Sequence, residues 1–330
     1  MRRVLWIVLG AAGLWSAYWL AGALLVSRAL PEAVTAQTRS DLEVQLGEVS
    51  VAGYPLRFES TVERLQVRQP ATGLTVYLPR IGVEMPAWWP GQATLTFPTE
   101  LAQIALAGAE VIVRAEAAQG QLKLKPSPAL ALQDLSAQGG PWDITQDATS
   151  LLSGDGFTAT LSETDGPAAT YGIALNATGL TPGDLIRNSL SIPTDWPRQF
   201  AAAEVAAQVT LSRALDRHAA ETPPQPRRIE VETARVIWGD VEISLAGLLD
   251  IAPEGIPQGE ITLLVDNWRR LYDIARSGAV ALPQQADLML NALSNIGGDP
   301  DTLDLVLSFD TGQMTLGGIA LGPAPRLIVE

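Results

Sequence analysis

The chain has 330 residues, a formal net charge of −14, one histidine and no cysteine. That charge excludes nucleic acid as a partner and excludes docking on an anionic lipid surface through charge. The missing cysteines exclude thiol catalysis and any cysteine-ligated metal, and 29 glycines with 23 prolines fit many short strands and turns better than a helical bundle.

From Val4 to Val26 no side chain is charged; Arg2 and Arg3 precede this run and Arg28 closes it. At about 1.5 Å per residue such a run covers the ~30 Å hydrocarbon core of a bilayer. Trp15, Tyr18 and Trp19 lie toward its far half, where their rings suit the interface. Ala21-Gly22-Ala23 has the form of a signal-peptide cleavage site. Against cleavage, the run is longer than the about 7–15 residues of an h-region and carries bulky rings near its end. An uncleaved anchor is therefore the favoured reading, and the arginine pair leaves the N-terminus inside. The expected plan is a transmembrane anchor at 1–28, a polar, helical stalk at 29–42, and a β-rich domain at 43–330 in the periplasm, held by a single pass at the inner membrane.

From Glu43 the hydrophobic period becomes two. Val44, Leu46, Val49 and Val51 alternate with polar neighbours, and Leu56 to Phe58, Val62 to Val67, Leu74 to Leu78 and Ile81 to Met85 continue the pattern. Turn residues such as Gly53, Gly73 and Pro79 separate them. The same texture recurs at 94–97, 109–115, 122–125, 157–161, 171–175, 204–211, 229–238, 241–248, 259–265 and 303–309. Strands at this spacing, joined by hairpins, predict a long, curved antiparallel meander, mainly β.

Helices interrupt it in few places. A short one is expected from Thr181 to Leu190. Asp266 is positioned to cap another, in which Trp268, Leu271, Tyr272 and Ala275 share a face. Pro283 opens a third, with Leu288, Met289, Ala292, Leu293 and Ile296 on its apolar stripe. The segments 171–188 and 259–277 both run strand, turn, helix, a faint internal echo. Thr222-Pro223-Pro224-Gln225-Pro226 is either a domain boundary or a long hairpin loop. The loop is favoured, because strand texture resumes unchanged beyond it.

No catalytic constellation is present. His218 stands alone in a polar stretch and cannot form a histidine-rich metal site. There is no nucleophile elbow and no phosphate-binding loop. Asp299, Asp301 and Asp304 lack the glycine and closing glutamate of a calcium loop and fit a solvated turn. Gly317 to Gly322 fits tight turns between late strands. Trp88-Trp89-Pro90-Gly91 is either an exposed interface element or packing over a sheet edge; the second is favoured. Gly53-Tyr54-Pro55 forms a strand-breaking corner, since glycine permits positive φ and proline cannot donate to a ladder. Tyr54 is expected to pack against the sheet. The chain is expected to be no enzyme and to need no cofactor.

Val51-Ala52-Gly53-Tyr54-Pro55-Leu56-Arg57-Phe58 resembles a segment of a bacterial envelope family, domain-of-unknown-function family 2125. Leu245-Ala246-Gly247 through Pro257-Gln258-Gly259-Glu260 to Val265-Asp266-Asn267-Trp268 is similar to it as well, as is the ending from Gly312 to Pro325. The family is distantly similar to AsmA-like envelope proteins, and that resemblance implies an open β-groove that shields lipid tails. It implies no catalytic residues. Two functions follow as expectations. In the first, an anchored β-sheet holds or conducts lipid acyl chains, phospholipid among them, with Val76, Val83, Leu95, Ile112 and Leu124 as candidate lipid-facing positions. In the second, the apolar face is a closed core and the protein is an envelope assembly factor acting through protein partners. Alternation reads the same in both.

Overall fold

The computed structural model describes residues 10–25, 27, 43–70, 72–89, 91–106, 109–167, 169–219, 222–277, 299–317 and 319–328. The protein is mainly β, and every strand pair with a described register is antiparallel. Two compact units are present, residues 1–123 with 144–148 and residues 124–143 with 149–330.

The first unit begins with helix α1, residues 10–25. The proposed span from Val4 reaches beyond the described residues, and the stalk at 29–42 lies outside them. Among the described residues no helix is long and apolar enough to cross a membrane, so they do not show the expected transmembrane helix. β1 (Glu43–Leu46) and β2 (Val49–Ala52) both lie along β3 (Arg57–Gln69). β3 pairs with β4 (Leu74–Pro86), whose other edge takes β5 (Gln92–Thr96) and β6 (Glu100–Leu106) end to end. β7 (Ala109–Ala115) pairs with β6 and β8 (Gln119–Leu124) with β5.

The breaks line up. Gly47 donates its N–H to Arg64 O at 3.0 Å, and Arg64 sits at φ 60°. Pro79 lies opposite Arg64, between the pairs Glu63↔Arg80 and Leu65↔Leu78. Farther across, Phe97 bonds to Ala118 and Ala115 to Thr99, with Ala117 at φ 50°. A crease therefore crosses the whole unit, and the apolar rows change phase there. β3 carries Phe58 and Val62 on one side of it and Leu65 and Val67 on the other; β4 carries Leu74, Val76 and Leu78, then Ile81, Val83 and Met85. The steps from Val62 to Leu65 and from Leu78 to Ile81 are odd. A period-two pattern shifted by one residue moves its apolar set to the opposite face, so the crease is where the apolar rows of β3 and β4 change phase.

The second unit is a longer meander. β9 (Leu132–Gly139) is followed by β10 (Trp142–Gln146), which shares its end with the first unit, and by β11 (Thr149–Gly154). β12 (Gly156–Glu163) pairs with β9 and with β13 (Thr170–Thr178). The short β14 (Thr181–Pro182) pairs with β11 and leads into helix α2 (Asp184–Ser189), the helix expected near Thr181. The ladder continues from β13 through β15 (Ala202–Leu211), β16 (Pro226–Trp238), β17 (Val241–Ile251) and β18 (Pro257–Asp266). After helix α3 (Trp268–Ser277) it is extended by β19 (Thr302–Asp310), β20 (Gln313–Leu316) and β21 (Ile319–Pro323). The proline stretch 222–226 lies between β15 and β16, which pair with one another.

α3 departs from expectation at its start. Asp266 ends β18, and its carboxylate accepts the Thr302 hydroxyl at 2.8 Å instead of capping the helix. Asn267, at φ 55°, makes the entry turn and donates its amide to Asp240 O. The helix expected after Pro283 lies outside the described residues.

Candidate functional site: an open apolar sheet face and a helix-docked corner

Cross-strand registers carry one apolar row through the second unit. Ala159 pairs with Leu175, Leu175 with Val205, Val205 with Ala234, Ala234 with Leu245, Leu245 with Leu263 and Leu263 with Leu305. Paired residues share a face, so these side chains form a continuous stripe. A second row beside it runs through Val236, Ile243, Val265 and Leu303. The reverse face is polar in the same register, through Thr158, Asn176, Glu204, Arg235 and Ser244.

One end of the stripe is covered. Trp268 and Ile274 of α3 pack on Val241, Val265, Leu303 and Leu305, together with Ile192 and Trp196 from the segment after α2. The buried Arg187 holds that segment, donating to the carbonyls of Pro193, Trp196 and Pro197 at 3.1–3.2 Å. Trp238 Nε1 donates to the same Pro197 carbonyl at 2.8 Å, and the Arg270 guanidinium lies 5.1 Å from the Trp196 ring centre.

The other end is open. A groove of about 490 Å³ runs over Phe157, Ala159, Leu175, Val205, Ala234 and Leu245. Its size falls in the range of about 300–1,000 Å³ typical of small-molecule sites. Alanines at 159, 177, 203 and 234 lower its floor between larger neighbours. Leu175 is 45% exposed, and Leu135, on the adjoining β9, is 38% exposed. The row side chains offer no hydrogen-bonding atom, so the face they form suits apolar matter; Thr158, Asn176, Glu204 and Arg235 also border the groove. Behind it Arg235 bonds Glu242 at 2.6 Å and approaches Glu204 at 3.5 Å. The hydrogen bond from Arg235 holds the Glu242 carboxyl below its ordinary value. Four residues before Leu175 on β13, the buried Tyr171 hydroxyl accepts the Leu215 N–H at 2.9 Å, and burial raises its pKa.

The sequence candidates for lipid contact lie elsewhere. Val83 and Leu95 are cross-strand partners in the first unit. Val76 is seven residues from Val83 on β4, across the crease, so alternation assigns it to the other row with Ile104. Ile112 pairs with Gln103, out of step with the Ile104–Val111 row, and Leu124 ends β8. The five are partly buried and do not form one row.

The Gly-Tyr-Pro corner has a partner. Gly53 has φ 93°, and a Cβ there would stand 2.9 Å from Arg57 O, as the expected strand break requires. Tyr54, however, packs on α1 and not on the sheet: its hydroxyl shares a 2.7 Å hydrogen bond with Ser16 Oγ, and its ring meets Trp19 edge-on at 5.4 Å. Trp15 Nε1 donates to Pro55 O, Trp19 Nε1 to Arg57 O and Tyr18 OH to Ala87 O, at 2.8–2.9 Å. Trp19 stacks on Phe58 at 5.6 Å. Trp15, Ser16, Trp19, Gly22 and Ala23 form the docking stripe of α1. A Cβ on Gly22 would lie 2.8 Å from Phe58 Cζ. The two tryptophans after Ala87 divide: Trp88 is 66% exposed, while Trp89 lies against Gly91.

Among the described residues no group of three histidine, aspartate or glutamate side chains could hold a metal. His218 is exposed and accepts a hydrogen bond from Arg217. A search of curated proteins gives no match. A family model does match, over residues 19–325, spanning the α1 docking face from Trp19 and every strand of the single large sheet. The chain thus belongs to DUF2125, a family of uncharacterised proteins conserved in bacteria.

Proposed function

We propose that the protein is an anchored component of the bacterial envelope that holds lipid acyl chains on the open apolar face of its second unit. The observation that carries this reading is the unbroken row from Ala159 to Leu305, covered by α3 and the Trp196 segment at one end and by nothing described at the other. Each methylene removed from water there contributes about 0.8 kcal/mol, enough for a chain of ordinary length to be retained. The distant resemblance to AsmA-like proteins agrees with this use. The arginine pair before the amino-terminal run favours the periplasm for both units, with the run at the inner membrane. The work is binding, and no step of it calls for catalysis or a cofactor.

A second reading has its own support. β21 pairs only with β20 among the described residues, and Ile319 and Leu321 on it are exposed. An apolar edge strand invites a further strand from a protein partner, which fits an assembly factor.

Native mass spectrometry of detergent-extracted protein separates the two. Co-purified phospholipid is expected with the natural chain and its loss with Leu175→Glu, which should stay folded at a cost of about 1 kcal/mol. No lipid on the natural chain, or equal lipid on both, sinks the acyl-chain reading.

A further inference from the structure

We infer that the corner at Tyr54–Leu56 and the turn at Trp88 form, with α1, one surface that contacts the bilayer directly. This rests on the reading that the amino-terminal run meets a membrane, and extends it to residues of the sheet.

Three observations carry it. First, large apolar side chains are left exposed together: Tyr54 at 57%, Leu56 at 58% and Trp88 at 66%. The two turns that bear them are joined, because Ala87 N–H donates to Leu56 O at 2.9 Å. Second, α1 is uncharged from Gly10 to Leu25, and it exposes Leu14, Leu20, Leu24 and Leu25 on the sides that do not dock. Third, α1 and the corner are fixed to each other by the indole and phenol donors of Trp15, Tyr18 and Trp19 on three backbone carbonyls. Whatever depth Trp15 and Trp19 take, Pro55 and Arg57 take with them. Tyrosine and tryptophan, with an apolar body and a polar edge, are the residues suited to that depth.

The occupant is a bilayer, and charge argues how it is met. With a net charge of −14 the protein gains nothing from anionic headgroups, so the contact is apolar and neutral phosphatidylcholine should suffice. The far end of the β3–β4 hairpin is the natural contrast. Thr72 is exposed there, roughly 40 Å from Arg57 along β3 at ~3.3 Å per residue.

The absence of cysteine makes the test clean. Leu56→Cys, Trp88→Cys and Thr72→Cys, each made singly in the full chain and labelled with a polarity-sensitive dye, are reconstituted into phosphatidylcholine vesicles with or without nitroxide lipid. Dyes at 56 and 88 should shift to the blue and be quenched several-fold more than the dye at 72. Flotation of the vesicles is scored in the same samples. Protein that floats with equal, weak quenching at all three sites overturns the surface and leaves the anchor standing. Protein that does not float overturns both. Acyl-chain retention at Leu175 is read by a separate measurement and can fail independently.

Discussion

The two ends of the apolar row in the second unit are built from the same kind of strand, yet they have opposite fates. Val265, Leu303 and Leu305 lie under Trp268 and Ile274 and are less than a tenth exposed. Leu175, Val205 and Ala234 lie on the row that reaches Leu305, three to five strands away from it, and remain open. Strand chemistry does not distinguish them; what differs is whether the chain leaves the sheet as a helix beside them. Covered core and open apolar face are here one feature, divided by the position of α3.

Charge placed in each half tests that division most severely. Leu305→Asp buries a carboxylate with no partner, and the folded state should lose more than about 4 kcal/mol. Leu175→Asp places the same group at the open end, where water still reaches it. Its cost should be about 1 kcal/mol, the range of strand propensity. Chemical denaturation of both variants checks this. Equal, large losses would mean that the open end is covered in solution, and the groove would have to be given up.

The cover itself can be thinned. Trp268→Ala removes the largest side chain that α3 contributes and should cost about 3–5 kcal/mol. Under the proposed acyl-chain reading, lipid at Leu175 should be retained by whatever protein remains folded. Lipid lost together with the cover would mean that the two ends do not act separately.

The first unit offers a corner in place of a cover. Gly53→Val forces a β-branched residue to φ 93° against Arg57 O and should destabilise that unit by about 1–3 kcal/mol. Because α1 docks on the same corner, the fluorescence of Trp15 and Trp19 should change as well. The second unit should unfold as before. A natural melting curve and natural emission would show that the corner tolerates ordinary strand geometry.

These elements differ in how far the sequence discloses them. The strands were legible because half-buried antiparallel sheet forces a period of two, and the positive φ of Gly53 followed from its place before Tyr-Pro. The helix after β18 was legible from Trp268, Leu271 and Tyr272, but its entry was not: a cap at Asp266 and a left-handed turn at Asn267 both suit short polar side chains. The docking of Trp15 and Trp19 was hidden, since an indole that seeks a carbonyl looks the same as one that seeks a membrane interface. The crease had a visible trace in the three-residue steps from Val62 to Leu65 and Leu78 to Ile81. The division of the apolar row could not be seen, because covered and open strands alternate alike. The groove at Leu175 was missed for that reason.

The smallest expected effect concerns the polar face behind the groove. Arg235 bonds Glu242 at 2.6 Å across β16 and β17, directly behind the open end of the apolar row. The hydrogen bond lowers the Glu242 pKa from its ordinary 4.5. A carboxylate whose pKa is lower in the folded state binds its proton more readily when unfolded, so it adds stability above pH 4.5 and loses it as the pH falls through the lower folded value. Both side chains are more than a third exposed, and water and salt screen the pair. Glu242→Gln should therefore leave the melting temperature nearly unchanged at neutral pH and make the decline below pH 4.5 slightly shallower. High salt should reduce the difference between the two proteins. A Glu242→Gln protein that loses lipid while keeping its stability would show that the reverse face shapes the groove, and the two faces of the open end could no longer be treated as independent.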